Sequence, residues 1–102
     1  MVSRELLTAA EVEARLLPLA SWAVRDGQLH RELVFGSFDQ AFGFMTAVAL
    51  IAQRLDHHPA FHNVYNRVRL SLWTHDAGGL TALDFALAEA AERLVSRFQL
   101  GS

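Results

Sequence analysis

The stretch Pro59-Ala60-Phe61-His62-Asn63-Val64-Tyr65-Asn66-Arg67-Val68-Arg69-Leu70-Ser71-Leu72-Trp73 is where the apolar spacing of the chain changes to period two. Phe61 to Tyr65 reads as a short strand. Val68, Leu70 and Leu72 alternate with Arg67, Arg69, Ser71 and Trp73, the pattern of a longer strand buried on one face. A turn at Asn66-Arg67 would set Tyr65 opposite Val68 and make the two strands a hairpin. Continued outward, that register brings position 58 opposite position 75. The extension runs past Pro59, which cannot serve as an ordinary ladder residue. It predicts His75 beside the His57-His58 pair at one edge of the sheet, with three imidazoles around one pocket.

Upstream, Trp22–Arg25 and Gln28–Phe35 flank Asp26-Gly27, a two-residue type I′ turn signal. Between the two hairpins, Ser37-Phe38-Asp39-Gln40 is a capping box that opens a helix. Phe38, Ala41, Phe42, Met45, Val48, Ala49, Ala52 and Leu55 form its apolar stripe, and Phe44, Leu50 and Ile51 lie off it. A helix apolar on most sides is buried on most sides, so a partner subunit is expected to cover the extra face. A first helix begins at Thr8-Ala9-Ala10-Glu11, with Leu7 and Val12 as a hydrophobic staple, and stops near Leu17 because Pro18 follows. After a turn at Ala77-Gly78-Gly79, a last helix begins at Thr81-Ala82-Leu83-Asp84 and runs to about Gln99. Leu80 and Phe85 suit a second staple. The order α-β-β-α-β-β-α predicts an α+β domain, an antiparallel sheet with the helices on one face.

At 102 residues the chain is one small domain, taken here as residues 1–102. Apolar residues make up 52% and charged residues 20%, which for so small a domain implies apolar area buried between subunits, a homodimer or homotetramer. The net charge of −2 gives no electrostatic footprint for nucleic acid. With no cysteine there is neither disulfide, thiolate nucleophile nor cysteine zinc site. Met1 to Leu7 carries Arg4 and Glu5 and lacks an apolar signal core, and the apolar stretch Ala41 to Ala52 is too short to span a bilayer. A cytoplasmic protein without membrane contact is expected.

Of five histidines, four (His57, His58, His62 and His75) fall in one short stretch. Imidazole is the side chain that titrates near neutrality, so such a cluster can hold a proton donor and a proton acceptor together. His30 and His62 read as ordinary surface or satisfied residues. Asp84 suits a helix N3 position, where a carboxylate stabilises the amides and the dipole. A metal site of His58, His62 and His75 is the sharper rival. Adjacent histidines seldom both ligate one ion, however, and no HExxH is present.

Asp56-His57-His58-Pro59, Asn63-Val64-Tyr65-Asn66-Arg67-Val68, Leu72-Trp73-Thr74-His75-Asp76-Ala77-Gly78-Gly79-Leu80 and Asp84 together resemble pterin-4a-carbinolamine dehydratase. Ala41-Phe42-Gly43-Phe44-Met45-Thr46 resembles the same family, and the likeness runs from about Leu6 to Leu94. The resemblance implies a four-stranded antiparallel sheet. It also implies dehydration of 4a-hydroxytetrahydropterin to the quinonoid dihydropterin, in recycling of the pterin that aromatic amino-acid hydroxylases use, with neither metal nor organic cofactor. His57 and His75 would be the acid/base pair on opposite faces of the pterin, and His58 would bind and orient it as part of the catalytic trio. Pro59, Phe61 and Asp84 would complete the substrate contacts, Asp84 also supporting the site by orienting a histidine or the pterin, and Phe61, where the family often has tryptophan, keeping a smaller aromatic wall. Gln53, Asp56, Tyr65 and Thr74 would support the site. Gln53 stands where the family typically has an ionisable residue, often glutamate; it keeps hydrogen bonding but cannot titrate. Trp73, on the mostly polar face of its strand, is open between a ligand wall and a subunit contact. A hydroxylase is the implied pathway partner. Relatives that act as a transcription-factor dimerisation cofactor or a carboxylase assembly chaperone supply the alternative, a non-catalytic interaction module.

Overall fold

A computed structural model of the chain describes residues 2–99; Met1 and residues 100–102, the ends of the expected domain, lie outside the described residues. Its elements are α1 (Ala9–Leu16), β1 (Ala23–Arg25), β2 (Gln28–Val34), α2 (Phe38–Leu55), β3 (Ala60–Val64), β4 (Arg67–Leu72), a 3-10 turn (His75–Ala77) and α3 (Ala82–Gln99). All strand pairs are antiparallel and the sheet order is β1-β2-β4-β3, so β2 and β4 form its centre. The α+β architecture with four strands is the expected one.

Local chemistry starts the elements where the sequence signals it. The Thr8 hydroxyl accepts from the Glu11 amide at 3.2 Å, and the Glu11 carboxylate accepts from the Thr8 amide at 2.9 Å. Asp26 and Gly27 take φ of 52° and 75°, as a type I′ turn requires at both central positions. At α2 the box is displaced: Ser37 Oγ accepts from the Gln40 amide, but Gln40 Oε1 accepts from Gly36 rather than Ser37.

Two details differ from expectation. The second hairpin turns at Tyr65-Asn66, with Val64 opposite Arg67, so the register lies two positions from the one that placed Tyr65 opposite Val68. Tyr65 takes φ of 50°, a costly conformation for a bulky residue. Side chains hold it there: Asn63 Nδ2 donates to the Tyr65 and Arg67 carbonyls at 3.0 and 2.8 Å. Asn66 is tied to Phe35 by its own amide and by its backbone carbonyl, each at 2.8 Å. A two-position shift preserves the buried face because the side-chain period is two. It carries the outward extension of position 58 towards 73 rather than 75.

The second difference is the facing of α2. Its buried residues are Ala41, Phe44, Val48 and Ala52. Phe44, placed off the stripe by spacing, is 0% exposed, whereas Phe38 and Phe42 are 48% and 52% exposed. At ~100° per residue the true core face is rotated by about 45° from the stripe. Both margins carry large apolar residues, so spacing alone could not choose between them. The packed margin is the one against α3, where the Phe44 and Phe98 rings meet edge-on and Gly43 admits the Phe98 ring.

The core lies between one sheet face and the paired helices α2 and α3. Leu29, Leu33, Val68, Leu70 and Leu72 meet Phe44, Val48, Phe85, Ala88 and Ala91 there. Each fully buried Leu or Phe contributes about 1.5–3 kcal/mol, far more than an exposed cap. A polar clasp closes the far side. Glu92 accepts from Trp22 Nε1 at 2.8 Å and takes Arg31 in a fork, Nε to Oε1 at 3.0 Å and Nη2 to Oε2 at 3.2 Å.

Burial pushes the Glu92 carboxyl up, but the bonds from Arg31 and Trp22 and the Arg31 charge outweigh it and hold the group below its ordinary range. Stability from this clasp is therefore fully present above the unfolded carboxylate value of about 4.3 and is lost as pH falls through the lower folded value. Glu92→Gln should cost about 1 kcal/mol at pH 7, after allowing for solvent screening of a partly exposed pair. In urea titrations run from pH 7 down to pH 2, the gap between variant and parent should close on the acid side.

Candidate active site

The chain leaves α2 through a left-handed residue, and that exit presents the first histidine. Asp56 takes φ 51° and ψ 45°. The His57 amide bonds back to the Ala52 carbonyl at 3.0 Å and the Asp56 amide to Gln53 at 3.2 Å. These are the paired bonds of a Schellman ending, with Asp in the position glycine usually takes. The reversal buries His57 and leaves His58 exposed before Pro59 leads into β3.

The other wall comes from the end of β4. Thr74 pairs with Gly79 across the 3-10 turn, the Thr74 amide reaching the Gly79 carbonyl at 2.9 Å. Gly78 takes φ of 77°, which lets that turn close without strain. His75 stands exposed at its start, and Trp73, Thr74, His75 and Asp76 face an open cleft with Arg4, Asp56, His57 and His58. The cleft holds ≈ 240 Å³. That is below the ~300–1,000 Å³ of ordinary small-molecule pockets, so the single chain encloses a ligand only partly.

Asp84 joins the walls from beneath. It is 0% exposed, and both carboxylate oxygens are engaged by the protein. Oδ1 lies 2.5 Å from His57 Nε2. Oδ2 accepts from Thr74 Oγ1 at 2.8 Å and from the Thr81 amide at 2.9 Å. Because the Thr74 hydroxyl donates to Asp84, the Thr81 hydroxyl donates to Thr74 across 2.7 Å, while accepting from the Leu83 amide. The two sequence readings of Asp84 thus coincide: it caps α3 and it grips a histidine. A carboxylate only accepts, so His57 Nε2 donates to Asp84 and Nδ1 is the ring nitrogen that Asp84 leaves unengaged. No buried side-chain nitrogen or oxygen among the described residues lacks a partner.

The candidates separate clearly by place. His57, His58, His75, Asp56 and Thr74 meet at the cleft. Gln53 Oε1 accepts from His58 Nε2 at 2.9 Å, so the Gln53 amide steadies the outer histidine. Asp84 lies beneath the cleft and not in its wall, and it meets the cleft through its bond to His57. Phe61 pairs with Leu70 on the helix-covered sheet face and packs on the core, and Pro59 stands outside the cleft wall. Tyr65 is 62% exposed in the hairpin turn, the whole length of β4 away from Trp73. His62 lies on the outer sheet face opposite Arg69, apart from His58 and His75, and His30 Nδ1 is bonded to Ser71.

Two cleft residues carried no settled role in the sequence, Trp73 being open between a ligand wall and a subunit contact. Trp73 is the aromatic wall that Phe61 was expected to be, and Arg4 arrives from the N-terminal segment. An aromatic on the polar face of an otherwise alternating strand is the signal that marked Trp73. Nothing local marks Arg4, because its neighbours in the cleft are more than fifty residues away in sequence.

Asp84→Ala would strip a buried acceptor from His57, Thr74 and the Thr81 amide together. It should lower unfolding free energy by about 3 kcal/mol, read from the urea midpoint. Asp84→Asn should cost less, since the amide oxygen still accepts.

The chain is similar to known proteins in sequence and fold. A family model for pterin 4 alpha carbinolamine dehydratase matches residues 5–94. A relative from Solibacter usitatus that bears this family's name is 48% identical over 90 residues, 88% of this chain and 95% of its own. Another, from Rhizobium johnstonii, is 50% identical over 95 residues, 91% and 94% of the two chains. A crystal structure from Brucella melitensis, described as a transcriptional coactivator/pterin dehydratase, is similar at TM-score 0.84 and 40% identity, covering 87% of this chain and 97% of that one. A pterin dehydratase-like protein identified as a RuBisCO assembly factor in the alpha-carboxysome matches at TM-score 0.60 and 21% identity, over 72% and 86% of the two chains, a likeness of fold alone.

Proposed function

Since the chain belongs to the pterin 4 alpha carbinolamine dehydratase family, we propose that it removes water from a 4a-hydroxytetrahydropterin to give the quinonoid dihydropterin. The observation that carries the reading is the buried His57–Asp84 pair opening on a cleft that His58 and His75 also line. The reaction breaks the C4a–O bond. One proton goes to the leaving hydroxyl, which departs as water, and one leaves ring N5 as the C4a–N5 double bond forms. Two imidazoles on opposite walls suit those two transfers. His57 works from Nδ1, its other nitrogen being held by Asp84, and His75 works from the 3-10 turn. His58, steadied by Gln53, binds and orients the ring, and Trp73 offers it an aromatic face. The chemistry calls on no organic cofactor or metal; the pterin is the substrate. A cytoplasmic setting in pterin recycling, with a hydroxylase as the source of substrate, follows from the same reading. No helix among the described residues is long and apolar enough to cross a membrane.

Disappearance of synthetic 4a-hydroxytetrahydropterin in a stopped-flow assay is the direct test. The protein should exceed the buffer background clearly, and His57→Ala combined with His75→Ala should remove about 10²–10⁴-fold of the rate. A parent rate equal to background would overturn the reading and leave the interaction module, in line with the Brucella protein's being described as a transcriptional coactivator as well as a pterin dehydratase.

A homo-oligomer is the second part of the proposal. The outer side of α2 carries Phe38, Phe42 and Leu50, with the two Phe rings 5.6 Å apart and Leu50 63% exposed. Exposed apolar surface of this kind marks an association site. Sedimentation should give a dimer or tetramer for the parent and a lighter species for Phe42→Glu; a monomeric parent would refute it.

A further inference from the structure

We propose that Arg4 is a positioning residue of the site, and that the segment before α1 is a strap tying its two walls together. The strap is anchored first on the β4–α3 side. The Leu7 amide donates to the Leu80 carbonyl at 2.9 Å. Leu6 Cδ1 lies 2.9 Å from where a Cβ on Gly79 would stand, so the strap runs tight against the loop that carries His75. From that anchor the chain crosses to the other wall. Arg4 Nη2 donates to the Asp56 carbonyl at 3.1 Å and reaches the Leu55 carbonyl at 3.5 Å. The Asp56 carboxylate stands 4.0 Å away. Arg4 faces the cleft alongside His57, His58 and His75.

The carbonyls Arg4 takes are those that a helix C-terminus leaves unpaired, and a cation there also meets the negative end of the helix dipole. Asp56 is the left-handed residue on which the chain turns from α2 into His57-His58. Holding its carbonyl fixes the peptide plane that precedes His57. The other end of the strap rests on the loop carrying His75, so the separation of the two walls is set through residues 4–7. The family model begins at residue 5, so Arg4 lies outside the matched region.

The bonds Arg4 makes are half-exposed, and pairs of that kind contribute little to stability. Their effect on reacting-group geometry is larger, because small misplacements of such groups cost rate steeply. The kinetic arm of the test rests on the dehydratase reading; the spectroscopic arm does not. In ligand-free protein, ring nitrogen signals of His57 and His58 and amide exchange at Asp56–His58 should change in Arg4→Ala. They should return towards the parent in Arg4→Lys, which keeps a donor for the carbonyls. In the assay, Arg4→Ala should lower kcat about tenfold with KM within twofold and the melting temperature nearly unchanged, and Arg4→Lys should recover part of kcat. Parent-like signals in Arg4→Ala overturn the proposal whether or not the protein dehydrates pterins. So does a raised KM at unchanged kcat, which would make Arg4 a substrate contact. Altered signals in a protein that lacks dehydratase activity would sustain the strap while removing the proposed reaction.

Discussion

The Asp84 carboxylate, sealed from solvent, accepts from His57 on one oxygen and from Thr74 and the Thr81 amide on the other. Three separate stretches of chain meet on it: the exit from α2, the loop after β4 and the first turn of α3. An ionised carboxylate can be buried only if its lone pairs are filled, and here they are filled by groups that must themselves be placed. The start of α3, the orientation of Thr74 and the tautomer of His57 therefore depend on one another. Removing the acid would disturb a helix cap and a candidate catalytic base together.

The rest of the fold brings those stretches together. β2 and β4 form the rigid centre of the sheet, and α2 and α3 lie across one face of it. β3 starts only four residues after the Asp56 reversal, so the His57-His58 pair has no slack and must stand at the sheet end. β4 ends at the same edge, which puts Trp73 to Asp76 across from the pair. His57 is buried and gripped, whereas His58 and His75 are exposed. The site is thus rigid at its base and open at its mouth. The ≈ 240 Å³ cleft is correspondingly shallow, and the N-terminal strap crosses beside it to hold the two walls at a set distance.

Much of this was legible in the chain itself, for local reasons. Thr8 with Glu11, Asp26-Gly27 and Thr81 with Asp84 signal their elements within four residues, because caps and tight turns are satisfied by near neighbours. The alternation from Val68 to Leu72 assigned the buried face of β4 correctly even though the turn was placed one residue late, since a two-position register shift keeps every side chain on its face. The HHP and TH motifs with their spacing to Asp84 pointed to the family. Other features escaped because distant groups decide them. Tyr65 enters the left-handed region because Asn63 holds the turn carbonyls and Phe35 holds Asn66. Phe44 rather than Phe42 is buried because α3, forty residues on, packs against that margin of α2.

The sequence by itself determined the element order, the α+β class, the position of the caps and the concentration of imidazoles. Each of these rests on periodicity or on bonds between residues close along the chain. Only the tertiary structure decided which histidine is buried and gripped and which are exposed, that Asp84 bonds His57, that Trp73 and not Phe61 lines the cleft, and that Arg4 reaches α2. Those outcomes turn on burial and on bonds between residues ten to more than fifty apart, and such partners are chosen by packing, not by spacing.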